Sequence, residues 1–372
     1  MSRSVSAVSL SVLALASYGA ALSTFPKTPL ASMHFPRPSD LPYQVDQGNL
    51  ERGDQSGYNQ CNSTTEGPES LCQTSYVNDI SDFCLWGPAK PNSVIGDAEG
   101  EVVAWCSKAG HGTRVMPPGT LQSVQLLKAP DYVMLTGLIN QTLVDMKSDD
   151  DGGELDPHGQ DLRGNPIGGI MYSTQFSGGS GPEQVIEWTN FMGTMQFCIK
   201  ICDPNGPANN AAGFCQHTLD RIGCSYNMPS KYTVNGDATI GEFETCESDN
   251  MHIPGEYVVN GQTLSYKQPA EGVPITVPYQ PFVPASSKCT TTASTALYTD
   301  AAVASSTTTT ASASGSATGT PSRTGSGSNS PTPSATNSAA SSSQSQSGAA
   351  TSTARYSFAA TMFGVALSLL FA

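Results

Sequence analysis

Phe197-Cys198-Ile199-Lys200-Ile201 sets three large apolar side chains on alternate positions, separated by a cysteine and a lysine. A period of two belongs to the β-strand, whose successive side chains point to opposite faces. Upstream, Glu101-Val-Val-Ala-Trp-Cys106, Val124-Gln-Leu-Leu-Lys128 and Tyr132-Val-Met-Leu-Thr136 have the same β-branched and apolar content, as strands do. Downstream, Tyr257-Val-Val-Asn260-Gly261-Gln-Thr-Leu-Ser-Tyr266 reads as a hairpin, because Asn-Gly accepts the positive φ angles of a type I′ turn. Helical signals are few. Pro207 suits a first turn, Cys215, Leu219 and Ile222 follow at helical spacing, and Gly223 reads as the stop. A second short helix is expected from Pro182 to Phe191. The expected fold is therefore mostly β with one or two short helices.

Ten cysteines staple that fold: Cys61, Cys72, Cys84, Cys106, Cys198, Cys202, Cys215, Cys224, Cys246 and Cys289. An even number in an exported chain implies a disulfide framework, here of up to five bridges. The pairing stays open, since ten cysteines allow about 945 connectivities. Export is itself expected. Arg3, the apolar Val8–Ala16 run and small residues at Gly19, Ala20, Ala21 and Ser23 form a secretory signal peptide over residues 1–23. The apolar run Phe358–Ala372 is 15 residues long, short of the roughly 20 a membrane-spanning helix needs. With small residues at Ser347-Gly348-Ala349 and a polar spacer from Ala350 to Ser357, it matches a GPI-anchor signal. Attachment is expected at Ser347 or Gly348, with 348–372 removed. The protein is expected to be extracellular, held at the cell surface by the GPI lipid alone or transferred to the cell wall.

Between these signals the composition changes twice. Residues 24–60 carry Pro26, Pro29, Pro36, Pro38 and Pro42 and read as an extended segment. Residues 61–289 hold every cysteine and form the disulfide-stabilised ectodomain. From 290 to 347, Ser, Thr, Ala, Gly and Pro dominate, and Asp300 and Arg323 are the only charges. Such a segment buries too little apolar surface to offset its chain entropy, so it reads as a disordered, mucin-like Ser/Thr-rich stalk. N-glycosylation sequons at Asn62 and Asn140 mark surface loops. The formal charge is −14, falling to about −16 once Arg3 and Arg355 are removed, which repels phosphate backbones and argues against nucleic-acid binding.

The chemically richest stretch is Asp149-Asp-Asp-Gly-Gly-Glu154-Leu-Asp156-Pro-His158-Gly-Gln-Asp161, with six carboxylates and one imidazole in thirteen residues. Three readings compete. Asp149, Asp151, Glu154 and Asp156 are candidate calcium ligands, since that ion takes six to eight oxygens, although Gly153 breaks the EF-hand pattern. Glu154 and Asp156, joined by Glu187, are candidate catalytic acids flanking a sugar bond. The third reading, preferred here, is a solvated loop tied by its own Asp side chains; no cofactor is then needed. His111-Gly-Thr-Arg114 lacks the first arginine of the phosphatase motif, because Gly110 stands in its place. Trp86, Trp105 and Trp188 are read as core rather than as a sugar-stacking platform.

A resemblance rests on particular segments: Gly57-Tyr-Asn-Gln-Cys-Asn-Ser-Thr-Thr-Glu66, Asp82-Phe-Cys-Leu-Trp86, Glu99-Gly-Glu-Val-Val-Ala-Trp-Cys106 and Gly152-Gly-Glu-Leu-Asp-Pro-His-Gly159. Glu187-Trp-Thr-Asn-Phe-Met192, Cys215-Gln-His217 and Arg221-Ile-Gly-Cys-Ser-Tyr-Asn-Met-Pro229 extend it. From about Gly57 to Cys289 the chain resembles the basidiomycete macrophage-activating glycoproteins. The resemblance implies a fungal, exported, surface-held glycoprotein. That family's name describes an effect on immune cells, so it implies no site residues. The expected function is a non-catalytic structural or surface-contact role in a fungal cell wall. The alternatives are an enzyme remodelling wall polysaccharide and a calcium-dependent carbohydrate-binding module.

Overall fold

The computed structural model describes residues 25–297, except 47, 49, 207–210, 235 and 237. The expected signal peptide, the part of the expected stalk beyond 297 and the expected anchor segment with Ser347 and Gly348 lie outside the described residues. In chain order the elements are β1 (Thr74–Asp79), β2 (Asp82–Gly87), α1 (Ile95–Ala98), β3 (Val103–Cys106), β4 (Arg114–Val115), β5 (Leu121–Lys128), β6 (Tyr132–Ile139) and β7 (Gly153–Leu155). Then come β8 (Ile170–Ser173), β9 (Glu183–Val185), β10 (Trp188–Gly193), β11 (Gln196–Cys202), α2 (Ala211–Phe214), α3 (Gly223–Asn227) and α4 (Lys231–Val234). β12 (Phe243–Ser248), β13 (Glu256–Val259), β14 (Gln262–Ser265) and β15 (Ser286–Thr291) complete the set. The protein is mostly β, with a few one-turn helices and five disulfides, Cys61–Cys72, Cys84–Cys106, Cys198–Cys224, Cys202–Cys215 and Cys246–Cys289.

Six strands form one sheet in the order β4-β3-β2-β1-β8-β9, and seven form a second in the order β15-β12-β5-β6-β11-β10-β7. The two share one core. Phe83 stacks on Phe197, Trp86 packs on Trp188, and the Trp86 backbone N–H donates to Asn190 Oδ1 across 2.9 Å. All three tryptophans are buried there, so none forms an exposed sugar platform.

The alternation in β11 sorts its side chains between two cores. Phe197, Ile199 and Ile201 enter the core between the sheets. Cys198 and Cys202 face the other way, into a second core with Tyr132, Met134, Phe191, Phe214 and Met228. The bridges Cys198–Cys224 and Cys202–Cys215 pin the short helical segments over that second face. A strand buried on both faces explains why Lys200 is 0 % exposed. Its ammonium donates to the Asn227 carbonyl (2.6 Å) and lies 5.6 Å from the Tyr132 ring centre.

Two helix expectations are corrected. The stretch ending at Gly223 is not one helix: α2 stops at Phe214, a 3-10 turn covers Asp220–Ile222, and Gly223 opens α3 at φ +60°. The disulfides from Cys215 and Cys224 reach different strand positions, Cys202 and Cys198, so the helical spacing is overridden by two covalent ties. Pro182–Phe191 contains β9 and the start of β10 instead of a helix. There, all of Trp188–Met192 is buried and paired with β11, and Asn190–Met192 pair with β7 as well, which a strand satisfies through its ladders. The hairpin agrees with the sequence: β13 pairs with β14 around Asn260 (φ 50°) and Gly261 (φ 77°).

The Pro-rich segment has no core of its own. Leu30, Leu41 and Val45 bury against Ile170 and Tyr172, and buried Asp46 receives two hydrogen bonds from the Arg163 guanidinium, at 2.7 and 2.9 Å. Past Cys289, β15 runs to Thr291 and Leu297 is 2 % exposed in the main core, so ordered packing continues beyond 289.

Candidate functional site

β7 is the edge strand of the seven-stranded sheet, and Gly153-Glu154-Leu155 pairs with Met192-Phe191-Asn190 of β10. Leu155 points into the core between the sheets, whereas Glu154 shares the opposite face with its cross-strand partner Phe191. On that face a cleft of about 940 Å³ opens along the strand edge. Gly152–Glu154 and Phe191–Thr194 form one side; Asp220, Arg221, Gly223 and the Gln268–Glu271 loop form the other. Gly152 and Gly193 have positive φ and pass so closely that a Cβ on Gly152 would lie 1.6 Å from the Met192 carbonyl oxygen. The glycines of Asp149-Asp-Asp-Gly-Gly-Glu154 are thus required by the close backbone approach that ends the strand pair.

Glu154 is 5 % exposed. Its Oε1 accepts from Thr189 Oγ (2.6 Å), and Oε2 has no partner. Burial, reinforced by the charge of Asp156, holds its carboxyl well above the ordinary range. Thr189 sits opposite Lys200 in the ladder, and burial lowers that ammonium to about 7. Glu99 enters the cleft from the turn after α1 and is half-buried. Its Oε2 accepts from Asn165 Nδ2 (2.9 Å), and Asn165 Oδ1 accepts from Arg52 (2.6 Å). Burial pushes Glu99 up to about 7, opposed by Arg52 and aided by Asp156.

Beside the cleft lies a second cluster. Asp156 Oδ1 accepts from the backbone N–H groups of His158 (2.7 Å) and Gly159 (2.8 Å), closing a tight turn; burial nevertheless raises its carboxyl. His158 Nε2 meets Glu187 Oε2 at 3.0 Å, and its ring stacks on His217 at 3.7 Å. Burial lowers the His158 imidazole, but Glu187 outweighs it and the net shift is upward; burial and the neighbouring His158 lower His217.

The candidate acids thus fall in different settings. Glu154 lines the cleft, Asp156 caps a turn, and Glu187 is the partner of His158. The four candidate calcium ligands are not brought together: Asp149 is exposed and paired with Lys147 at 3.0 Å, while Glu154 and Asp156 are buried. Among the described residues, the one group of three potential ligands within 4.8 Å is Glu244, Cys246 and Cys289, and its cysteines are bonded to each other. Asn62 is exposed and Asn140 half-buried beside exposed Thr142, so both sequons reach the surface. Sequence reasoning missed Glu99, Asp220 and Glu271. Glu99 lies 55 residues from Glu154 in an Asp97-Ala-Glu99-Gly-Glu101 run that has no distinguishing spacing.

Two proteins of the basidiomycete fungus Mycosarcoma maydis are similar to this chain. Appressorium protein ROW1 is 42% identical over 236 residues, which are 63% of this chain and 51% of that protein. Appressorium protein ROW2 is 37% identical over 224 residues, 59% of this chain and 72% of that protein. The chain thus spans about half the length of ROW1. No family model matches the chain, and no solved structure does. With ROW2 matched over nearly three-quarters of its length, the chain belongs to the family of the fungal appressorium proteins ROW1 and ROW2.

Proposed function

We propose that this is an exported, GPI-anchored fungal surface glycoprotein whose ectodomain binds wall polysaccharide in the cleft along β7. The reading joins the family's appressorium association to the signal-like and stalk-like compositions of 1–23, 290–347 and 348–372. It also keeps the likeness to the macrophage-activating glycoproteins as a likeness of surface glycoproteins. The observation that carries it is the cleft: an open, largely polar groove along a sheet edge, lined by a buried carboxyl with one unpartnered oxygen. Sugar hydroxyls both donate and accept, so they can complete such a surface. The role is binding and surface contact, with no cofactor. Affinity electrophoresis of the full chain in gels containing soluble β-glucan, glycol chitin or mannan tests it. Retardation by at least one polymer, reduced in Glu154→Ala, is expected; equal mobility in all gels refutes it.

One observation favours a second, hydrolytic reading. Glu99 is an accessible acid raised to about 7 in the same cleft as a second carboxyl held above its ordinary range, a pairing that suits general acid catalysis. Release of reducing ends that disappears in Glu99→Gln supports it, and no release at high protein loading excludes it.

A further inference from the structure

The cleft's charge goes beyond its shape. Five carboxylic acids line it, Glu99, Asp151, Glu154, Asp220 and Glu271, and among the described residues none of them takes part in an ion pair. Among the described residues of the lining the lone cation is Arg221, and its guanidinium hydrogen bonds are already committed. It donates to the backbone carbonyls of Pro269, Ala270 and Val273 at 2.9–3.0 Å, strapping the 268–273 loop into place as the cleft wall. Gln268 Nε2 adds a bond to Asp220 Oδ1 (3.2 Å).

Elsewhere in the protein, acids of this burial have either cationic partners, as Asp46 and Asp161 have Arg163 and Glu244 has Lys231, or backbone N–H donors, as Asp150 and Asp156 have. Glu154 is as buried as these, yet its Oε2 has no partner of any kind. An acidic groove with an unsatisfied carboxyl oxygen buried beneath it is complementary to a ligand that brings its own hydrogen-bond donors and positive charge. A neutral glucan supplies only hydroxyls, and an N-acetylated chain only amide and hydroxyl groups.

Resting on the reading of the cleft as a polysaccharide site, we propose that it selects a polymer of amino sugars with free, protonated amines, a glucosamine chain rather than its N-acetylated or neutral counterparts. The amines would lie along Glu99, Asp151 and Glu271, with the sugar ring over the Glu154 floor. Charge-assisted bonds to a carboxylate are the stronger class, so losing one costs on the order of tenfold in affinity.

The test is calorimetric titration of the full chain with glucosamine hexamer, N-acetylglucosamine hexamer and β-1,3-glucan hexamer, at low and high salt. The glucosamine hexamer is expected to bind at least roughly tenfold tighter than the others and to weaken with salt. Glu99→Gln and the exposed-site double variant Asp151→Asn, Glu271→Gln should each weaken it roughly tenfold and narrow its advantage over the acetylated hexamer. Because Asp151 and Glu271 are exposed, the double variant keeps its fold even if changes at Glu99 disturb it. Equal affinity for the acetylated and free-amine hexamers overturns the selectivity and leaves the polysaccharide reading standing. Binding of no hexamer, with tight binding of an oligolysine control, overturns both and identifies a basic protein segment as the occupant.

Discussion

At the scale of single residues, the folded protein keeps acids protonated where water would ionise them. Glu99 moves from an ordinary 4.5 to about 7, and Glu154 moves in the same direction. Between those limits the native state binds protons that the unfolded chain has released, so stability falls as pH rises. The full contribution is present below about 4.5 and is lost as pH rises through about 7. Urea unfolding of the full chain from pH 4 to 8 should show this decline, and Glu99→Gln should flatten part of it; an unchanged slope would remove the burial argument for Glu99. Arg163 offers the opposite case. It is 1 % exposed and holds Asp46 in a two-bond fork. Arg163→Ala strands a buried carboxylate and should cost about 3–5 kcal/mol, whereas Arg163→Met with Asp46→Leu should cost much less. Unfolding midpoints of the two variants separate a lost pair from a stranded charge.

At the scale of elements, periodicity was readable where packing obeyed it and failed where covalent ties intervened. The Phe197–Ile201 alternation foretold β11 because each face of that strand meets its own core. Cys215, Leu219 and Ile222 have helical spacing, yet two disulfides to β11 break the segment into turns. The acidic loop was visible as a cluster, but its division into a cleft acid, a turn cap and exposed residues depends on which groups β10 and the 3-10 turn at Asp220 cover. Sequence spacing has no record of that tertiary choice. The β13–β14 hairpin makes the local logic testable. Gly261 holds φ 77°, so Gly261→Val, which adds a β-branched side chain at positive φ, should destabilise the hairpin by ~1–2 kcal/mol. Amide exchange confined to Glu256–Ser265 is the expected signature, with the two large sheets still protected.

At the scale of the whole molecule, the five disulfides fall at different depths, and depth sets their order of reduction. Cys84 and Cys106 are each 0 % exposed and join adjacent strands in the main core. The two bridges over the second core are also buried, although Cys224 at 8 % lies nearest the cleft. Cys289 is exposed on the edge strand β15, so its bond to Cys246 is open to attack without unfolding. Thiol–disulfide exchange requires access of the attacking thiolate to sulfur. Graded reduction of the full chain, trapped by alkylation and mapped by mass spectrometry, should therefore label Cys246 and Cys289 first and Cys84 and Cys106 last. The Cys246–Cys289 bridge closes a 43-residue loop, and opening it forfeits about 4 kcal/mol in the chain-entropy picture. That loop contains β13, β14 and the Gln268–Glu271 wall of the cleft. Early reduction should thus weaken ligand capture before it melts the two large sheets; simultaneous loss of both would mean that the cleft wall and the core unfold as one unit.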